Sequence, residues 1–287
     1  MRSHLLLLTF ATGSLWAADP APYESAGFLD IPASVKLDSV SGMECDSKGR
    51  IYVLHRGEPP LLQFDPKGKY IKGWGEGSFK VAHGLRIDRS DNIWTTDNAL
   101  HLIRKFSPEG KLLLTLGEGG NFKSPDDLVF SSNGDMYVAD TGNGRILHLK
   151  NDGTLVSSFG RKGVKNQPQG PGDFAAAHGL AIDRKDNIYV ADRGNNRVQV
   201  FDKSGKFLSE WTGFGNPFGA LVVGNELLVS DGDAHTISHL NLSSGAMTKQ
   251  WGNPETLKLP HLMAVGPDKT LYVAEVAGKR IQRFHPK

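Results

Sequence analysis

The chain has 287 residues, 39% of them hydrophobic, enough to bury a large core in one domain or two. Its formal net charge is only +2 and its basic residues are dispersed, so no phosphate-tracking surface is present and nucleic acid is excluded as a partner. Cys45 is the single cysteine, which excludes an internal disulfide; the fold must stand on packing alone.

At the N-terminus, Met1-Arg2-Ser3-His4 precedes an apolar run from Leu5 to Phe10, then small residues through Leu15-Trp16-Ala17-Ala18 before Asp19-Pro20. A positive start, a short apolar stretch and small residues at a cut site read as a secretory signal peptide over 1–18, with an uncleaved anchor as the alternative. The apolar part is too short to span a bilayer, and so is every later run. A periplasmic or secreted protein is expected, with no membrane contact once the signal is removed.

The remaining chain, 19–287, repeats itself about every forty residues. Ile51–His55, Ile93–Asp97, Met136–Asp140, Ile188–Asp192, Leu227–Asp231 and Leu271–Glu275 are rich in β-branched and aromatic residues. Each follows a turn such as Asp46-Ser47-Lys48-Gly49, the grammar of hairpins. Cys45, just before that turn, reads as a small apolar strand residue rather than a nucleophile. A second strand follows each phrase (Arg104-Lys105-Phe106, Gln199-Val200-Phe201), and most third strands close on Trp or Phe, as at Trp74, Phe159, Trp211 and Trp251. Short strands at even spacing without helical periodicity predict four-stranded blades around an axis: an all-β, six-bladed β-propeller. The last repeat is one strand short, and Phe28–Leu37 is the predicted outer strand that closes it.

Equivalent positions in successive blades lie on one ring around the axis. Fourteen residues before the end of each phrase stand Ser41, His83, Asp126, His178 and His261 in blades one, two, three, four and six; blade five offers Pro217 or Phe218. Histidines in alternate blades are three-fold related, so His83, His178 and His261 can converge on the axis. Three neutral imidazoles suit a divalent metal, zinc first, and leave a position for water or substrate. The competing reading is that His83 and His178 are repeat-consensus residues lining a tunnel; His261, in the divergent context Leu259-Pro260-His261, argues against it. Asp126, on the same ring, is a base, a partner to a ligand, or a simple loop carboxylate. The other histidines, His101, His148, His235, His239 and His285, are assigned to second strands with packing or surface roles.

A second ring follows the phrase ends: Arg56, Asn98, Thr141, Arg193, Gly232 and Val276. Arg56 and Arg193 belong to opposite blades and can clamp a carboxylate by charge-assisted bonds, unless each pairs with a neighbouring acid, Glu58 or Asp192. The expected ligand is therefore a small molecule or a peptide C-terminal carboxylate; a protein partner is the other possibility.

The phrase His178 to Val198 is similar to the NHL repeat, and the resemblance extends over nearly all of 19–287. Leu54-His55-Arg56-Gly57, Ala82-His83-Gly84-Leu85, Thr96-Asp97-Asn98-Ala99-Leu100-His101, Ala177-His178-Gly179-Leu180, Val190-Ala191-Asp192-Arg193 and Leu259-Pro260-His261 resemble peptidyl-hydroxyglycine amidating lyase. The resemblance implies zinc-ligand roles for His83, His178 and His261 and substrate roles for Arg56 and Arg193. The implied reaction cleaves a C-terminal α-hydroxyglycine to a peptide amide and glyoxylate. Two positions depart from the family. Its base tyrosine has no counterpart in the loop Asp140–Arg145, and Leu262 stands where the family has an acidic residue that also serves a structural calcium. Asp126, Thr141 or a metal-bound hydroxide are the candidates to replace the base.

Three functions stay open at this stage: a metal-dependent lyase, a metal-dependent hydrolase of a small carboxylate, and a non-catalytic extracytoplasmic binding or scaffold propeller.

Overall fold

The computed structural model describes residues 22–167 and 170–287; the signal-like segment 1–18 lies outside them. Six four-stranded sheets follow one another along the chain, each antiparallel, with its first strand innermost. Blade 1 is Val40–Cys45, Ile51–His55, Leu61–Phe64 and Tyr70–Trp74. Blade 2 is Ala82–Ile87, Ile93–Asp97, Leu102–Phe106 and Leu112–Leu116; blade 3 is Pro125–Phe130, Met136–Asp140, Arg145–Leu149 and Leu155–Phe159. Blade 4 is Ala177–Ile182, Ile188–Asp192, Arg197–Phe201 and Phe207–Trp211, and blade 5 is Pro217–Val223, Glu226–Asp231, Thr236–Asn241 and Met247–Trp251. Blade 6 takes Pro260–Val265, Leu271–Glu275 and Arg280–Pro286 from the C-terminus and its outer strand from the N-terminus.

The turn chemistry explains the hairpins. In blade 1 the Asp46 carboxylate accepts the backbone N–H groups of Lys48 (3.0 Å) and Arg50 (2.8 Å), and Asp88 and Asp183 do the same at their turns. Second strands are buried along their whole length in five blades, and all but the half-buried Glu226 in blade 5, because each blade is covered on both faces by its neighbours. The core is accordingly distributed. Six apolar clusters each join two adjacent blades, as where Trp94 and Ile103 of blade 2 meet Leu128 and Val138 of blade 3. Cys45 ends the first strand of blade 1, and burial pushes its thiol up, consistent with an inert residue.

The closing strand lies upstream of where the sequence pattern put it. Tyr23–Phe28 pairs antiparallel with the last strand, from Tyr23 opposite Pro286 to Phe28 opposite Gln282. The segment after Phe28 leaves the sheet and crosses to blade 1, burying Leu29 and Val35 in the cluster between blades 6 and 1. Pro32, which cannot donate to a ladder, helps keep this segment out of the sheet. A short parallel ladder, Arg161–Lys162 with Asp173–Phe174, was not anticipated; it fills the connection between blades 3 and 4 beside the Thr141–Asn143 turn.

Candidate functional site

The inner strands carry the same irregularity in every blade. The pairing with the second strand slips next to the ring position, between Ala82 and Leu85, Ala177 and Leu180, and Pro260 and Met263 in the three histidine blades. Such a bulge re-aims a side chain, here turning each imidazole toward the axis. His83, His178 and His261 are all buried, with ring centroids 4.7–5.0 Å apart and steeply inclined planes. One nitrogen from each lies within 4.8 Å of the others.

What orients the rings is the neighbouring blade. Nδ1 of His83 meets the Asp126 carbonyl at 2.9 Å, Nδ1 of His178 the Phe218 carbonyl at 2.7 Å, and Nδ1 of His261 the Ser41 carbonyl at 2.5 Å. Ring positions in blades 3, 5 and 1 thus supply the carbonyls that fix the histidines of blades 2, 4 and 6. Nδ1 must carry the proton to donate to a carbonyl, which leaves Nε2 with its lone pair free. The glycines after His83 and His178 make this possible: a Cβ at Gly84 would come 2.6 Å from the Asp126 carbonyl oxygen, and one at Gly179 2.4 Å from that of Phe218. Burial, with positive neighbours adding to it, pushes all three histidines below their ordinary range, His83 to about 4. They are neutral at physiological pH, the state in which imidazole binds metal.

These donors fit a metal. Nε2 of His178 is buried with no hydrogen-bond partner among the described residues, a costly arrangement for a protein to keep unless something takes the lone pair. The second position, calcium at Leu262, does not fit: Leu262 is buried and apolar, and no carboxylate stands there.

Asp126 places its carboxyl at the same level, 3.8 Å from Nε2 of His83, and accepts from the Asn98 amide at 2.6 Å. Burial pushes its pKa up to about 7, against the pull of Arg193 and Arg56. Thr141 donates its hydroxyl proton to the Ala177 carbonyl at 2.5 Å. Arg56 is exposed at the mouth and its Nε donates to the Ala82 carbonyl, next to His83, at 3.3 Å. Arg193, half-buried, lies 4.8 Å over the Phe218 ring, which itself packs against His178 and His261. The alternative pairings do not form. Asp192 is held by Arg197 at 3.0 Å, and among the described residues neither Arg56 nor Arg193 is in an ion pair.

Phe218 rather than Pro217 therefore occupies the blade-five ring position. Of the remaining histidines, His148, His239 and His285 sit on strands as expected, but His101 and His235 lie in the turns before them, with left-handed φ of 62° and 57°.

A second polar cluster on the axis escaped the sequence reading. Three residues beyond His83, the buried Arg86 donates to both oxygens of Asp127 (3.0 and 2.6 Å) and to the carbonyls of Leu128 (3.2 Å) and Leu180 (3.0 Å). Glu44 lies 3.6 Å away, and burial raises its pKa. The signal was a charged residue inside an otherwise apolar inner-strand phrase.

The fold and site define a six-bladed β-propeller, two of whose blades match the NHL repeat, with three histidines gathered on its axis. The NHL repeat family matches residues 122–149 and 174–201, in blades 3 and 4. NHL repeat-containing protein 3 of Mus musculus is 28% identical over 301 residues, covering 92% of this chain and 82% of that protein. Peptidyl-alpha-hydroxyglycine alpha-amidating lyase 1 of Drosophila melanogaster is 29% identical over 312 residues, covering 88% of this chain. The chain spans only 58% of that lyase's length. Among solved structures, a streptogramin B lyase superimposes with a TM-score of 0.68 at 15% identity, covering 92% of this chain and 97% of that one, which shows a shared fold.

Proposed function

We propose that the chain is a metal-dependent lyase acting on N-acyl-α-hydroxyglycines or a closely related small carboxylate. The observation that carries this reading is the axial trio of neutral histidines, each with Nδ1 tied to a carbonyl and Nε2 turned inward, beside two arginines without ion-pair partners among the described residues. His83, His178 and His261 would hold the metal, zinc in first place, since three imidazoles form an open site. When bound, the metal supplies Lewis acidity toward the substrate's hydroxyl oxygen.

The chain's own groups do the rest. Arg56 and Arg193, reaching the mouth from opposite blades, take the substrate carboxylate and fix its orientation. Phe218 walls the side beneath Arg193 and excludes water there. Asp126, the carboxyl on the histidine ring, accepts the hydroxyl proton as the carbon–nitrogen bond breaks. Asp126 then passes that proton to the leaving amide nitrogen, and the products are an amide and glyoxylate. Thr141, a neutral hydroxyl and so a poor base, ties the blade-three loop to the Ala177 carbonyl of blade 4 rather than acting as the base. The signal-like segment supports an extracytoplasmic site of action.

Metal content by mass spectrometry, compared with a His83/His178/His261→Ala variant and followed by a glyoxylate-release assay, tests this reading. About one equivalent of zinc, lost in the variant, and turnover of an N-acyl-α-hydroxyglycine are expected. Bound metal without turnover of this substrate would favour the second reading, a binding or scaffold propeller, to which the likeness to NHL repeat-containing protein 3 and the missing tyrosine give support. Turnover of another small carboxylate by water addition would favour the hydrolase.

A further inference from the structure

The six blades share a polar clasp at the end of the second strand, and blade 1 builds it from a different residue. Asp97, Asp140, Asp192, Asp231 and Glu275 occupy this position in blades 2 to 6. Each accepts the backbone N–H two residues before its own inner strand: Lys80 at 2.7 Å, Lys123 at 2.7 Å, Ala175 at 3.1 Å, Gly215 at 2.5 Å and Lys258 at 2.5 Å. In blade 1 the residue is His55, fully buried, and its Nδ1 accepts the equivalent N–H, from Asp38, at 3.2 Å.

His55 then does something a carboxylate cannot. Its Nδ1 also accepts from Gly57 N–H at 3.0 Å, so the ring proton is on Nε2, which donates to the Pro59 carbonyl at 2.7 Å. A carboxylate in that place would set its lone pairs against those of the carbonyl. The imidazole thereby grips the chain on the far side of Arg56 at two points, while Arg56 N–H is held by the Ser39 carbonyl at 3.2 Å on the near side. The fit is tight: a Cβ at Gly57 would lie 2.9 Å from the His55 ring and 1.8 Å from the Lys36 carbonyl oxygen. Burial lowers the pKa of His55, which agrees with the neutral tautomer that these bonds require.

We infer that His55 is the positioning residue for Arg56, holding its loop so that the guanidinium faces the three-histidine centre instead of swinging into solvent. This rests on the reading of Arg56 as a carboxylate ligand, and the test separates the two. Glyoxylate affinity is measured by calorimetry on zinc-loaded, full-length wild type, Arg56→Ala, His55→Leu, His55→Asp and His55→Asn, with zinc content and melting temperature recorded for each. His55→Leu is expected to weaken glyoxylate about tenfold while keeping its zinc, and His55→Asp, which restores the other blades' acceptor without the donor, should also weaken it. His55→Asn, an acceptor and a donor on one planar group, should recover part of the loss. With an N-acyl-α-hydroxyglycine substrate, the same variants should raise KM and leave kcat within about threefold.

If His55→Leu fails to fold, His55→Asp and His55→Asn still decide the matter. Weakened binding in Arg56→Ala with wild-type affinity in the folded His55 variants overturns the positioning role and leaves the clamp standing. Unchanged affinity in Arg56→Ala overturns the clamp, and this inference with it.

Discussion

The two ends of the central axis treat charge in opposite ways. Toward one end, Arg86 is buried and every direction of its guanidinium is answered, by Asp127, two carbonyls and Glu44; Asp127 in turn accepts from Leu128 and Leu180 N–H groups. At the other mouth, Arg56 and Arg193 have no ion pair among the described residues and Nε2 of His178 has no partner. A saturated cluster has nothing left to offer a ligand and serves as a strut between blades 1, 2, 3 and 4. An unsaturated one keeps lone pairs and charges that folding alone does not explain. The cavity of about 280 Å³ beside Arg86 is lined mainly by apolar ends of inner strands, which agrees with a structural role there.

The contrast can be broken most completely at the histidines. His83/His178/His261→Ala should abolish metal binding, falling from about one equivalent to none by mass spectrometry, while the chain stays folded because it rests on the six apolar clusters between blades. Asp127→Ala should do the reverse, costing about 3 kcal/mol in denaturant unfolding by leaving the buried Arg86 without its two-oxygen partner and with only Glu44, 3.6 Å away, to balance its charge, with zinc affinity retained in whatever remains folded. An effect of either variant on both properties would mean that the two ends are not separable.

Arg193→Ala should weaken carboxylate binding by about ten- to a hundredfold, the worth of a charge-assisted bond, and shift the melting temperature little. Arg193→Lys should recover only part of this affinity, because a point charge cannot reproduce the planar fork.

A smaller effect concerns acid. The metal-free protein should lose stability as pH falls from about 6.5 toward 4, because the unfolded chain takes up protons on histidines that the fold keeps neutral. That slope should flatten in the triple alanine variant; an identical slope in both proteins would show that the acid sensitivity arises elsewhere.

How far these groups could be read in advance depended on what each owes to the repeat. The positions of His83, His178 and His261 on one ring follow from counting back fourteen residues from each strand end, and the structure brings all three together. Arg56, Arg193 and Asp126 fall on the same two rings. The closing strand was misplaced because the alternation in Phe28–Leu37 resembles a strand, while the real partner of the last strand is fixed by the length of chain needed to reach blade 1. His55 and Arg86 were given no role since each looks like a lapse in the repeat; only the folded loops around His55 and the other blades around Arg86 show that one clasps a loop and the other saturates a carboxylate. Phe218 was left level with Pro217 because a one-residue difference in blade 5 cannot be assigned to either side of a bulge without the ladder.

By itself, the sequence determined the architecture and the ring on which the three histidines sit, because a repeat of this period can bury its strands only against copies of itself, so that spacing along the chain becomes position around an axis. Which groups are spent and which are left free was decided by the tertiary structure alone. The partners that decide it, the Asp126, Phe218 and Ser41 carbonyls for the histidines and Asp127 for Arg86, come from other blades, about forty residues or more away, where no local pattern reports them.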